Sequence, residues 1–136
     1  MMTAGLSLFD IAGRAMGALM VRMNTTASNL ANAGSVAATR EEAFRPLKPV
    51  FQTLYEGQTG KATVGIAGVV EAALEPQRRH EPGHPLADAQ GYVYLAAVDH
   101  NAELVEMVET ARQYQNNIEV LETGKSLTLE TLRLGR

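Results

Sequence analysis

The chain has 136 residues, of which 46% are hydrophobic, enough for the core of one domain and too apolar for a disordered chain. Its formal net charge is -3 and it has no run of Lys or Arg, so it lacks the electrostatic footprint that phosphate backbones require and nucleic acid is not expected as a partner. The absence of cysteine removes disulfides and thiolate metal sites, and leaves the redox compartment unread.

The first zone, residues 1–35, reads as one helix. Ser7 and Asp10 stand in the capping-box arrangement, hydroxyl and carboxylate each placed to satisfy an orphan amide, which predicts a helix start there. Phe9, Ala12, Met16, Leu19, Met23, Thr26 and Leu30 then recur at alternating steps of three and four, the spacing of a coiled-coil seam, and only Thr26 breaks the apolar run. The pattern fades near Ala33 and Gly34. Gly13 and Gly17 each cost up to about 1 kcal/mol against alanine. Either a neighbouring helix approaches closely there, or the glycines are merely tolerated. Asp10, Arg14 and Arg22 interrupt the apolar stretch and no basic residue precedes Arg14, so neither a conventional cleaved signal nor a membrane-spanning helix is expected.

The middle zone, residues 36–100, holds all five prolines, Pro46, Pro49, Pro76, Pro82 and Pro85, which exclude long helices. Val50–Leu54, Thr63–Val70 and Tyr92–Val98 are β-prone. A turn at Glu56–Gly60 and a Pro/Gly-rich stretch from Glu75 to Gly91 separate them, giving a small antiparallel patch and an extended arm. The last zone, residues 101–136, has no proline and predicts a helix from an Asn101 cap to about Leu134, stopped by Gly135. At 1.5 Å per residue it would span roughly 50 Å, more than a small core needs, and a helix that long wants a partner. Met107, Ala111, Tyr114, Ile118 and Leu121 repeat the seam rhythm and Leu132 returns to it, while Leu127, Leu129 and Leu134 spread apolar surface around the helix.

The expected fold is therefore mainly α with a small β-rich middle: long N- and C-terminal helices packing as a coiled coil, with an extended arm and short antiparallel strands between. The three zones would act as one functional unit. Asn29 and Asn32 on the first helix, with Asn117 on the last, would fix register beside the seams, because a misaligned neighbour leaves an amide unpaired. A solvated helix face is the alternative. The candidate assembly residues are thus Phe9, Ala12, Met16, Leu19, Met23, Asn29, Leu30, Asn32, Met107, Ala111, Tyr114, Asn117, Ile118, Leu121 and Leu132.

Chemical motifs are weak by comparison. His80-Glu81-Pro82-Gly83-His84 matches H-E-x-x-H formally, but proline and glycine between the histidines defeat the helix that would align two zinc ligands. Gly57-Gln58-Thr59-Gly60-Lys61 lacks the first glycine and the hydroxyl of a phosphate loop and reads as a turn. Gly13-x-x-x-Gly17 resembles a membrane dimerisation motif outside any apolar span. No nucleophile elbow or spaced acid pair remains, so neither an enzyme nor a cofactor is expected.

Ala27-Ser28-Asn29-Leu30-Ala31-Asn32, closing an N-terminal heptad helix, resembles the signature of the bacterial flagellar rod and hook axial proteins. Glu81–Val93 and Arg112–Lys125 resemble segments particular to its short proximal-rod members, in the right order over nearly the whole chain. Two departures stand out: Leu95–Asp99 fills a turn where the family usually has proline and asparagine, and Glu122 and Gly124 are unusual in the last helix. The resemblance implies a non-catalytic subunit whose terminal helices form the inner layer of a hollow rod that crosses the periplasm and transmits torque. It also implies export through the flagellar type III apparatus without a cleaved signal. The implied partners are copies of itself, other proximal and distal rod proteins, the base-rod junction protein and the rod-capping protein. Alternatives are another short rod protein of the family, or a cytoplasmic coiled-coil adaptor or export chaperone.

Overall fold

The structure is a computed structural model that describes residues 7–58 and 60–135; positions 1–6, 59 and 136 of the expected zones and turn lie outside the described residues. Helix α1 spans Leu8–Ala31, and its start is the expected capping box. The Asp10 amide donates to Ser7 Oγ (3.1 Å), and the Ser7 amide and hydroxyl each donate to Asp10 Oδ2 (3.0 Å). The bond from the Ser7 amide, then that from its hydroxyl, and less strongly Arg14, hold the Asp10 carboxyl below its ordinary range. A lowered native pKa means that the cap contributes above the unfolded carboxylate range, near pH ~3.9, and is lost as pH falls through the native value. The Asp10 carboxyl, followed by NMR, should titrate below an ordinary aspartate, and Ser7→Ala should move it back up. An ordinary titration in the native chain would contradict the cap.

Helix α2 runs from His100 to Leu134. Its N-cap is Asp99 rather than Asn101: Asp99 Oδ1 accepts from the Asn101 and Ala102 amides at 3.1 and 3.2 Å. Both residue types cap well, but only Asp99 stands where its carboxylate meets the orphan amides. The helices lie antiparallel, because Arg22 near the end of α1 reaches Glu106 and Gln113, whereas Leu8 at its start touches the backbone at Gly124.

Between the helices stand five strands: β1 (Val36–Ala37), β2 (Leu47–Tyr55), β3 (Ala62–Glu71), β4 (Gln77–His80) and β5 (Tyr92–Leu95). They form two small antiparallel sheets, so the fold is mixed α/β rather than mainly α. The expected β-prone segments appear as β2, β3 and β5, with β5 ending at Leu95 short of Val98. The expected arm is in part a strand, since β4 pairs with β5 from Gln77 opposite Leu95 to His80 opposite Tyr92. Arg78, Arg79 and His80 hid it, because four exposed polar positions carry no alternating signal.

The β2–β3 ribbon pairs from Leu47 opposite Glu71 to Tyr55 opposite Ala62, with one bulge at Val50/Phe51. The three-stranded sheet, in order β1-β5-β4, is centred on fully buried Val93. The departing turn after β5 is fixed by two backbone bonds: Ala96 N–H donates to the Ser35 carbonyl (3.0 Å) and Ala97 N–H to the Phe44 carbonyl (3.1 Å). Those two bonds seat the start of α2 beside the segment that leaves α1.

Candidate assembly surfaces

The buried positions of α1 and α2 are, apart from Leu19, small or polar. Ala12, Leu19, Thr26 and Asn29 are buried on α1, and Thr110 and Gly124 on α2. Polar seam positions are tolerable because each hydroxyl returns to its own helix. Thr26 Oγ1 donates to the Arg22 carbonyl (2.9 Å), Thr110 Oγ1 to Glu106 (2.7 Å) and Thr128 Oγ1 to Gly124 (2.8 Å). Thr26, the break in the apolar run, is thus a satisfied core residue. Gly124 has a steric cause: a β-carbon there would stand 2.8 Å from Leu8 Cδ2. Sequence periodicity missed Thr110 and Gly124 because neither is a large apolar residue; the only available signal was their spacing of fourteen residues, two heptads.

The candidate assembly residues divide into three groups. Ala12, Leu19 and Asn29 are buried within the chain; Met16, Met23, Leu30, Asn32, Met107, Ala111, Tyr114, Asn117 and Leu121 are half-buried; Phe9, Ile118 and Leu132 are exposed. The three asparagines serve the chain that carries them. Asn32 Nδ2 donates to the Ser28 carbonyl and Asn117 Nδ2 to the Gln113 carbonyl. Asn29 grips β2, its Oδ1 accepting from the Leu47 amide at 2.7 Å and its Nδ2 donating to the Leu47 carbonyl at 2.9 Å. One side chain thereby satisfies both backbone groups of a strand residue and locks the ribbon to α1.

A groove lies where α1, β2 and the start of α2 meet, lined by Arg22, Asn29, Lys48, Phe51 and Glu106 among others. Two of its charges are engaged across the helix pair: Arg22 is ion-paired with Glu106 and also donates to Gln113 Oε1 (3.2 Å). His80 sits in β4 with its ring 4.9 Å from the Tyr92 ring, and His84 Nδ1 accepts from the Leu86 amide. The H-E-x-x-H match is therefore spread over a strand and a turn, and no group of three metal-binding side chains occurs among the described residues.

What remains open is apolar. Leu104, Val105, Val108, Ile118, Val120, Leu127, Leu129, Leu132 and Leu134 are exposed on α2, with Leu132 at 64% and Leu134 at 87%. Val120, Leu127 and Leu134 recur every seven residues on one flank. On α1, a β-carbon at Gly13 or Gly17 would meet nothing within 4 Å, so no contact among the described residues calls for glycine there. No helix among the described residues is long and apolar enough to cross a membrane.

Two family models match the chain, flagella basal body rod protein over residues 9–36 and flagellar basal body rod FlgEFG protein C-terminal over residues 89–134. They fall on the two helices. The chain is similar to the flagellar basal-body rod protein FlgC of Salmonella typhimurium, 46% identical over 133 residues that cover 96% of this chain and 98% of the relative. The FlgC proteins of Escherichia coli O6:H1 and Yersinia enterocolitica are 45% and 43% identical over the same shares.

Proposed function

The chain belongs to the FlgC family of flagellar basal-body rod proteins, and from that membership we propose how its helices and sheets are used. It is a structural, non-enzymatic axial subunit of the rod, and neither the adaptor nor the chaperone alternative fits such identity over nearly its full length. In our reading α1 and α2 pack as a coiled coil with the helices of neighbouring copies and form the inner layer of a hollow shaft. The middle segment reaches outward, and the three zones, 1–35, 36–100 and 101–136, act as one unit.

The observation that supports this best is the apolar surface of α2 that its own chain leaves uncovered. A monomer gains nothing from Leu127, Leu132 and Leu134 in water, whereas a neighbour's helix would bury each for about 1.5–3 kcal/mol. Repetition of one contact between two different surfaces of the same chain gives an open helix when the rotation does not close, and such an assembly suits a rod. Stiffness for torque then comes from many helix seams in parallel.

The partners in this reading are the chain itself, other proximal and distal rod proteins, the base-rod junction protein, the rod-capping protein and the type III export apparatus. The site is the rod where it crosses the periplasm, reached without a cleaved signal. Of the candidate residues, Ile118 and Leu132 are exposed on α2 and free to meet a neighbour without unpacking the helix pair, whereas Phe9, also exposed, lies beside Gly124 of α2.

Leu132→Asp tests the reading. The position is exposed, so thermal unfolding of the free chain should shift by no more than about 0.5 kcal/mol. Rod completion should fail, because a carboxylate would be buried unpaired between subunits. Normal swimming by cells carrying only this variant would contradict the assigned surface.

A further inference from the structure

The rod reading leaves the β2–β3 ribbon without a role, although it is the longest paired element outside the helices. It contains only two strands, and neither outer edge is paired with another strand among the described residues. An unpaired edge is a row of backbone donors and acceptors that templates another strand unless it is blocked by charge, proline or cover. Blocking is visible elsewhere in the chain. Edge strand β4 carries Arg78 and Arg79, and the start of β2 has Lys48 and Pro49, with the Leu47 amide and carbonyl already held by Asn29. Neither charge nor proline protects the rest of the ribbon. From Ala62 to Val70 β3 has no charge and no proline, and neither does β2 from Val50 to Tyr55. Both stretches are rich in β-branched and aromatic residues, and Val50, Phe51, Leu54, Tyr55, Val69 and Val70 are exposed.

Resting on the rod reading, we propose that the free edge of β3 pairs with the free edge of β2 from the next copy, continuing the ribbon as an antiparallel sheet from subunit to subunit. The occupant follows from the geometry. The two open edges belong to different, antiparallel strands, so a second copy in the same orientation presents its β2 antiparallel to β3. That contact is heterologous and does not use itself up: each copy still offers one free edge, as a growing helical assembly requires. Backbone bonds supply the attachment and the uncharged side chains set which segments are admitted. The unblocked parts of both strands are the parts that pair, and the blocked start of β2 is the part held by α1.

The absence of cysteine makes a clean test possible. Full-length single-cysteine variants at Gln52, Thr53 or Leu54 are co-produced with variants at Val64 or Ile66 in cells lacking the native gene. Any disulfide then joins two copies. At least one β2–β3 combination in purified basal bodies should give a species of doubled mass at more than tenfold the level of Arg78→Cys paired with the same partners. Disulfides between two β3 cysteines only, or none across the scan in basal bodies that contain the chain, would overturn the proposal and leave the rod reading intact. Absence of the unsubstituted chain from basal bodies would overturn both. In a second test Ala67→Lys with Val69→Lys, both exposed, should leave thermal unfolding of the free chain unchanged and cut swimming at least tenfold. Undiminished swimming would overturn the proposal.

Discussion

Asn29→Leu is expected to release the β2–β3 ribbon from α1 and to destabilise the chain by on the order of 2–4 kcal/mol, since the Leu47 amide and carbonyl each lose a partner in a part-buried setting. Leucine keeps the branching of asparagine, but its methyl groups are larger than the oxygen and amino group they replace, so crowding at Leu47 adds to the lost hydrogen bonds. Asn29→Asp discriminates further. A carboxylate still accepts from the Leu47 amide but cannot donate to the carbonyl, and it stands buried beside Thr25, Thr26 and Leu47. It should therefore be no better than leucine near neutral pH and should recover in part as the solution is acidified and the carboxyl gains a proton. Denaturant midpoints of the three chains across pH measure this. Equal stability of all three would mean that the clamp carries no weight.

The second large effect is at Gly124. Gly124→Leu should push Leu8 and Phe9 off α2 and cost about 1–3 kcal/mol by overpacking. Gly124→Ala sets two terms against each other: up to about 1 kcal/mol gained in helix propensity, and a methyl that Leu8 Cδ2 must vacate from 2.8 Å. The end of a leucine side chain moves readily, so alanine should come out near neutral. If Leu8 is the obstacle, Leu8→Ala should recover much of the loss in Gly124→Leu, a coupling that a double-mutant cycle reads directly. Additive losses would assign the glycine to something other than this contact.

These two residues also show what sequence reasoning could reach. Helix starts were legible where chemistry is local: Ser7 and Asp10 lie three residues apart and complete their bonds within one turn. The β2–β3 ribbon was legible because β-branched runs flank a Gly-rich turn, and the long α2 because it has no proline. Gly124 was read only as unusual in the last helix, since a close approach from Leu8 involves a residue 116 positions earlier in the chain. Asn29 was read as an assembly residue for the same reason: no pattern in α1 reveals that an amide will meet the backbone of Leu47. Strand β4 was unreadable because its partner β5 supplies the apolar contribution and β4 only the backbone. The seam rhythm found buried positions on α1, Ala12, Leu19 and Thr26. On α2 it selected large apolar residues, whereas the buried positions are Thr110 and Gly124. The apolar excess on α2 was legible, and the chain's own fold does not absorb it.

The central claim is that this excess meets neighbouring copies. A reconstruction of the assembled basal-body rod from the source bacterium, at a resolution that places side chains, tests it most directly. The account predicts the antiparallel pair of α1 and α2 kept as in the free chain, with Ile118, Leu127 and Leu132 covered by helices of adjacent subunits. Those three side chains facing solvent or the open bore of a completed rod would contradict it.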